Sequence, residues 1–377
     1  MKKKKFVLAP DSFKESMTAK EVCEAMEEGF RRSRPNDEFI HVPMADGGEG
    51  TVQSLVDATG GTLYNVQVRG PLQQEVVGQY GLLGDGITGA IEMASASGIQ
   101  LIKPSEKNPL VTSTYGTGQL IKECLDKGIK RLIIGIGGSA TNDGGSGMAA
   151  ALGVKFLDKN GNDLPLGGGY LNTLETIDMS NVDPRLSEIE ILVASDVTNP
   201  LCGPLGASAV FGPQKGADKE MVALLDENLS HYAAVIKEQI GKDIKDVPGA
   251  GAAGGLGAGL LTFTHAKLEK GVDIVIEYTG LIDKVKKADY VITGEGGMDY
   301  QTQYGKTAFG VAKVAQEFNK PVIGIAGYVG EGIEELYSKG FTAIFGILPG
   351  AMDLDEALKM GKENVARTCD NIGRILP

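Results

Sequence analysis

The chain is short of the residues that most often carry metal or nucleophile chemistry. Its three histidines, His41, His231 and His265, show no ligand spacing, and His231 falls inside a helical pattern. The four cysteines, Cys23, Cys124, Cys202 and Cys369, lie far apart with no metal-type pair, so they read as free thiols of a cytoplasmic protein and no zinc site is expected. No Ser-His-Asp or Cys-His arrangement stands out, which leaves acyl transfer without support. No apolar run approaches the roughly 18 residues of a membrane span. The run after the N-terminal lysines, Phe6 to Pro10, is too short for a signal-peptide core. Positive charge is scarce as well: 37 Lys and Arg stand against 49 Asp and Glu, a net charge of −12. That balance excludes a general nucleic-acid binder, which needs a basic footprint. The expected partner is a small molecule, with no nucleic acid and no membrane, for a monomer or homodimer.

Glycine is what the chain has in excess. The 54 glycines in 377 residues are about twice the usual share of about 7%. They cluster after apolar runs, so they read as ligand loops and tight turns. The clearest case is 131–153, RLIIGIGGSATNDGGSGMAAALG. The run Leu132 to Ile136 predicts a fully buried strand. A glycine loop follows, carrying Ser139, Thr141, Asn142 and Asp143, and then a small-residue segment suited to a helix start. A strand that feeds free backbone N–H groups into a helix N-terminus is a ready anion site. The backbone at Gly137, Gly138 and Ser139 is expected at phosphates, and Asn142 and Asp143 at a nucleotide or its metal. The same stretch satisfies a weaker pattern. Gly135 to Ala140 matches G-x-G-x-x-[GA], with Asp158 placed 18 residues on as a ribose acid, although TNDGGSG intervenes before any helix. The second match, Gly249 to Gly254 within PGAGAAGGLGAG, has no apolar strand before it and reads as close helix packing or a ligand-facing turn. Gly305-Lys306-Thr307 fails as a P-loop, because Tyr300 stands where the first glycine belongs.

Elsewhere strands alternate with helices. Residues 5–9 and 39–44 read as strands, each followed by an acid-bearing loop and a helix, the first opened by Thr18 with Glu21 as a capping box. From about Gly60 short β-rich runs suggest a mixed or antiparallel sheet and a second domain. Residues 218–240 form an amphipathic helix. Clean αβ alternation returns with a strand over 289–293, a loop over 294–299, a helix over 306–318, a strand over 322–326, a helix over 331–338, a strand over 341–348 and a closing helix over 353–374. Five strand ends carry acids: Asp11, Asp46, Asp143, Asp196, and Glu295 with Asp299. In an open α/β fold such loops can converge on one crevice. Carboxylates there suit Mg²⁺, which takes one or two of them beside phosphate oxygens. One more can accept the proton of an attacking hydroxyl. Lys14, Lys215 and Lys306 can neutralise phosphates or a substrate carboxylate.

Seven segments together resemble the bacterial glycerate kinase family, the type that phosphorylates the 2-hydroxyl. They are LAPDSFKESMTA, PMADGGEGT, TSTYGTGQLI, IIGIGGSATNDGGSGMAAALG, SDVTNPLCGPLGASAVFGPQKGA, GAGAAGGLGAGL and ADYVITGEG, spanning residue 8 to about 330. The resemblance implies an α/β protein with a Rossmann-like three-layer domain formed by both chain ends and an inserted mixed α/β domain. The boundaries are expected at 1–65 with 285–377, and 66–284, with the active site in the cleft between them. It also implies ATP and Mg²⁺, and phosphorylation of D-glycerate to 2-phosphoglycerate. The candidate catalytic residues are Asp196 as general base, Asp46 and Lys14. The candidate cofactor residues are Gly137, Gly138, Ser139, Asn142, Gly294, Glu295, Lys215 and Lys306, and the metal ligands Asp299 and Asp143. One segment departs from the family form: Gly297, Tyr300 and Tyr304 stand where arginine, serine and histidine are usual, while Asp299, Gln301, Gly305 and Lys306 are kept. The other readings are a kinase of another small hydroxy acid, a non-catalytic nucleotide- or metabolite-binding protein of the same fold, and an NAD-dependent dehydrogenase.

Overall fold

The computed structural model describes residues 3–377. Among them the strands are β1 (Lys5–Leu8), β2 (Glu38–His41), β3 (Thr62–Arg69), β4 (Glu75–Leu82), β5 (Thr88–Glu92), β6 (Arg131–Gly135), β7 (Lys155–Leu157), β8 (Thr176–Asp178), β9 (Glu190–Ala194), β10 (Lys267–Glu269), β11 (Tyr290–Met298), β12 (Val322–Val329) and β13 (Ala343–Gly346). The chain forms two compact units.

The first unit takes in the chain up to Asp46, Gln53–Gly60 and Val272–Pro377. Its five-stranded sheet runs β13-β12-β11-β1-β2, every neighbour parallel. Parallel neighbours require crossovers, and the helix Ala19–Ser33 between β1 and β2 supplies one. It opens on the expected capping box: Glu21 N donates to Thr18 Oγ1 at 3.3 Å, and Thr18 N to Glu21 Oε2 at 2.8 Å. Its apolar face, Val22, Ala25, Met26 and Phe30, is wholly buried. Phe6 of β1 joins that core, 5.1 Å from the Phe30 ring and 5.0 Å from Tyr290. Three local expectations shift. The glycines after Thr293 form no loop, because β11 stays paired with β12 as far as Gly297–Tyr328 and Met298–Val329. Residues 331–338 form a 3₁₀ segment, Ile333–Lys339, and the closing helix breaks at Met360 into Leu354–Lys359 and Gly361–Ile375.

The second unit comprises Gly47–Val52 and Gly61–Gly271. Its six strands run β10-β9-β6-β5-β4-β3. β3, β4 and β5 pair antiparallel, whereas β5, β6, β9 and β10 are parallel. Leu132, Ile133 and Ile134 of β6 are buried, as a strand covered on both faces requires. The helix Lys219–Ile240 starts where Asp218 accepts from Met221 N at 2.8 Å. The glycines of PGAGAAGGLGAG serve packing: a Cβ on Gly257 would stand 2.2 Å from the Gly249 carbonyl oxygen. Among the described residues, no helix is long and apolar enough to cross a membrane.

Candidate active site

In the second unit three parallel strands end side by side, with Glu92 of β5, Gly135 of β6 and Ala194 of β9 in register. The chain leaves β6 through Gly137 and Gly138, both exposed, and everything from Ser139 to Ala149 is buried. Gly138 takes φ +70°, in the left-handed region that glycine enters without strain. The segment after Asp46 crosses these strand ends. A Cβ on Gly135 would meet the Gly47 carbonyl oxygen at 3.1 Å, and one on Gly137 would meet Gly48 Cα at 3.5 Å. Glu92 anchors that crossing by accepting from Val52 N at 2.9 Å. Burial raises its carboxyl pKa against the backbone donors of residues 50–52. Asp196 lies two residues beyond β9 on the same edge, exposed.

The rest of the loop turns inward. The Asp143 carboxylate is wholly buried and accepts from Thr114 N (2.8 Å), Thr114 Oγ1 (2.9 Å), Gly145 N (3.1 Å) and Gly147 N (3.3 Å). Burial pushes its pKa up against these bonds. Expected at a metal, it instead ties the loop to the start of the helix Tyr115–Asp126. Asn142 and Lys215, expected at the nucleotide, also end inside the unit. Asn142 Nδ2 donates to Ser208 Oγ at 2.9 Å. Lys215 is 1% exposed and its Nζ donates to the Thr141 carbonyl at 2.6 Å. Burial lowers its pKa to about 7, with the charge of Asp143 opposing.

The first unit gathers a second group of candidates where the chain leaves β1 and along the second half of β11. Asp11 N donates to the Gly294 carbonyl at 2.8 Å, and the Asp11 carboxylate accepts from Thr307 Oγ1. Burial raises the Asp11 pKa to about 6; the Thr307 bond opposes the rise and the charge of Asp46 adds to it. Glu295 pairs with Lys306 at 3.0 Å and accepts from Thr302 Oγ1 at 3.0 Å, while Lys306 Nζ also reaches the Gly297 carbonyl at 3.2 Å. Asp299, partly exposed, caps the following 3₁₀ turn through Gln301 N at 2.8 Å. Lys14 is exposed. Asp11, Asp46, Glu295 and Lys306 are thus brought together, with Asp299 four residues beyond Glu295. Among the described residues no three His, Cys, Asp or Glu gather as a metal cluster.

Thr307, Thr114 and Glu92 belong to these arrangements although none was singled out in the sequence, and so does Asp11, a strand-end acid that was given no specific role. Asp11 had a signal, an acid closing an apolar strand, and Thr307 stood in Gly305-Lys306-Thr307. Thr114 stood in TSTYGTGQLI, and Glu92 had no signal. The dinucleotide pattern finds no matching geometry. The helix after the loop, Ser146–Ala151, has six residues, and Asp158 follows β7, which pairs only with β8 outside the main sheet.

The chain matches the model of the glycerate kinase family over residues 6–377. It is 53% identical over 366 residues to a glycerate kinase of Halalkalibacterium halodurans, covering 97% of this chain and 96% of that protein. It is 50% identical over 372 residues to glycerate 2-kinase of Escherichia coli, covering 99% of this chain and 98% of the relative. A crystal structure of a Salmonella typhimurium protein, provisionally named glycerate kinase 2, superposes with a TM-score of 0.91 at 49% identity, covering 98% of this chain and 97% of the other.

Proposed function

The chain belongs to the glycerate kinase family, and on that premise we propose that it transfers the γ-phosphoryl group of ATP to the 2-hydroxyl of D-glycerate, forming ADP and 2-phosphoglycerate. The observation that carries this reading is the 50% identity, over 99% of the chain, to a protein named glycerate 2-kinase. The exposed Gly137 and Gly138 at the end of a buried strand support phosphate binding, because their backbone approaches an anion without a Cβ in the way. Ser139 adds a hydroxyl at the rim. In the first unit Glu295 and Lys306 also suit the nucleotide, whereas Gly294, expected there, is buried within β11 with its carbonyl accepting from Asp11 N. The Lys306 ammonium supplies positive charge to an otherwise acidic chain, and Glu295 tethers it. Lys14, exposed, suits the acceptor's carboxylate. Asp46 shares the acidic group around Asp11 and orients the acceptor.

In the step itself, the acceptor oxygen bonds to the γ-phosphorus while the bond from that phosphorus to the ADP oxygen breaks. Asp196 takes the hydroxyl proton, for which an exposed carboxylate beside the glycine loop is suited. Mg²⁺ fits Asp299, a partly exposed hard oxygen donor of the kind this ion takes beside phosphate oxygens. When bound it neutralises charge on the transferred group. Asp143 does not fit, since four donors already occupy its oxygens. A kinase of another small hydroxy acid is the second reading. Gly297, in place of the family's arginine, leaves its position open: a Cβ there meets nothing nearer than 4.0 Å. Initial rates with D-glycerate and with other 2-hydroxy acids, read as ADP release, separate the two; a higher kcat/KM for another acid overturns the first.

A further inference from the structure

An ammonium enclosed in a protein interior loses its hydration and regains it only through bonds and nearby charge. Lys215 is enclosed by the chain's own course. The 3₁₀ turn Pro213–Lys215 closes on Gly216 at φ +96°, where a Cβ would come within 2.7 Å of the Lys107 carbonyl oxygen. The Lys215 side chain runs inward, and its Nζ ends on the Thr141 carbonyl at 2.6 Å. Thr141 and Asn142 are fully buried, and Thr141 Oγ1 and Asn142 Oδ1 have no hydrogen-bond partner among the described residues. The helix Lys219–Ile240 brings two more such oxygens, Asn228 Oδ1 and Tyr232 Oη, one turn apart. Asn228 Nδ2 donates to the Gly168 carbonyl at 2.9 Å. Gly168 in turn abuts Asn142, and the Tyr232 ring abuts Gly144. The segment 141–144 thus rests on a buried polar seat whose amine is that of Lys215.

We infer that Lys215 is a positioning residue for the phosphate loop: bound beneath Thr141, it sets the path of residues 137–141, whose glycines face the nucleotide. The inference rests on the reading of that loop as the phosphate site and replaces the direct contact first expected of Lys215. Burying an ammonium costs desolvation that one carbonyl bond offsets only in part, so filling this space does not by itself require a lysine.

Lys215→Met keeps the stem and removes the ammonium. The variant should fold with a lowered melting temperature, since the buried Thr141 carbonyl loses its donor, and should show KM for ATP raised ~10–100-fold through the displaced loop with KM for glycerate unchanged, a split that a loss of stability alone does not produce. Gly138→Val, which alters the exposed part of the loop itself, is measured beside it. If Gly138→Val weakens ATP binding and Lys215→Met does not, the positioning role is overturned while the loop reading stands. If folded Gly138→Val binds ATP normally, the loop reading falls and the inference falls with it. Should Lys215→Met fail to fold, the wild-type enzyme decides. An amine-acetylating reagent, read by mass spectrometry, should leave Lys215 unlabelled with and without ATP. Labelling in the free enzyme would put the amine on the open side of the loop and overturn the inference.

Discussion

Glu295 and Lys306 meet at 3.0 Å across the turn that follows β11. Burial raises the Glu295 pKa, and the Lys306 charge and hydrogen bond are the main opposing effects. A carboxyl held above its unfolded value adds stability at low pH and loses it as pH rises through the folded value. Lys306→Met leaves burial less opposed, so the variant should fall further below the wild type in melting temperature at pH 8 than at pH 4. Calorimetry at the two pH values checks this; equal deficits would show that the pair does not hold Glu295 ionised.

Asp11 follows the same sign. Its folded pKa of about 6 lies above the unfolded 3.8, chiefly through burial. Its ionisation therefore costs stability as pH rises from about 4 to about 6. Asp11→Asn should melt a few degrees above the wild type at pH 7.5 and show no gain at pH 4. A lower melting temperature at pH 7.5 would mean that the Thr307 bond outweighs burial.

For Asp143 a metal role and a scaffold role diverge in one variant. Asp143→Asn turns an NH₂ group toward donors already pointing at the site, Thr114 N, Gly145 N and Gly147 N. The expected cost is about 3 kcal/mol of folding stability, seen by denaturant titration, with no recovery of activity as Mg²⁺ is raised. Full stability with activity restored by Mg²⁺ would return Asp143 to the metal.

Asp196→Asn keeps size and removes the basic oxygen. With the side chain exposed, the variant should fold, keep its ATP affinity and lose ~10²–10⁴-fold in kcat. A loss that shrinks with added Mg²⁺ would make Asp196 a metal ligand, and near-wild-type kcat would remove it from the mechanism.

The α/β class was legible because its signals are local. The run 132–134 is buried on both faces of a parallel strand, and Thr18 with Glu21 announced a helix start that the structure reproduces. The continuation of β11 through Gly294–Met298 was not legible, because glycines read as a loop until a neighbour such as β12 supplies the pairing. The same limit applies at the site. Residue type and loop position singled out Asp143 and Lys215 as candidates, but which way a side chain points from a loop depends on distant partners. For Asp143 the partner is Thr114, 29 residues away; Lys215 lies 74 residues from Thr141. Thr114, buried at a helix start, offers no chemical signal of its own until Asp143 is placed against it.

The most direct test of the central claim follows the phosphorus. The full-length protein is incubated with ATP, Mg²⁺ and D-glycerate, ADP is measured continuously, and the product is identified by ³¹P NMR. ADP release that depends on glycerate, matched one for one by 2-phosphoglycerate, is the predicted result. A folded, ATP-binding protein that releases no ADP on adding glycerate, or that yields 3-phosphoglycerate, would contradict it.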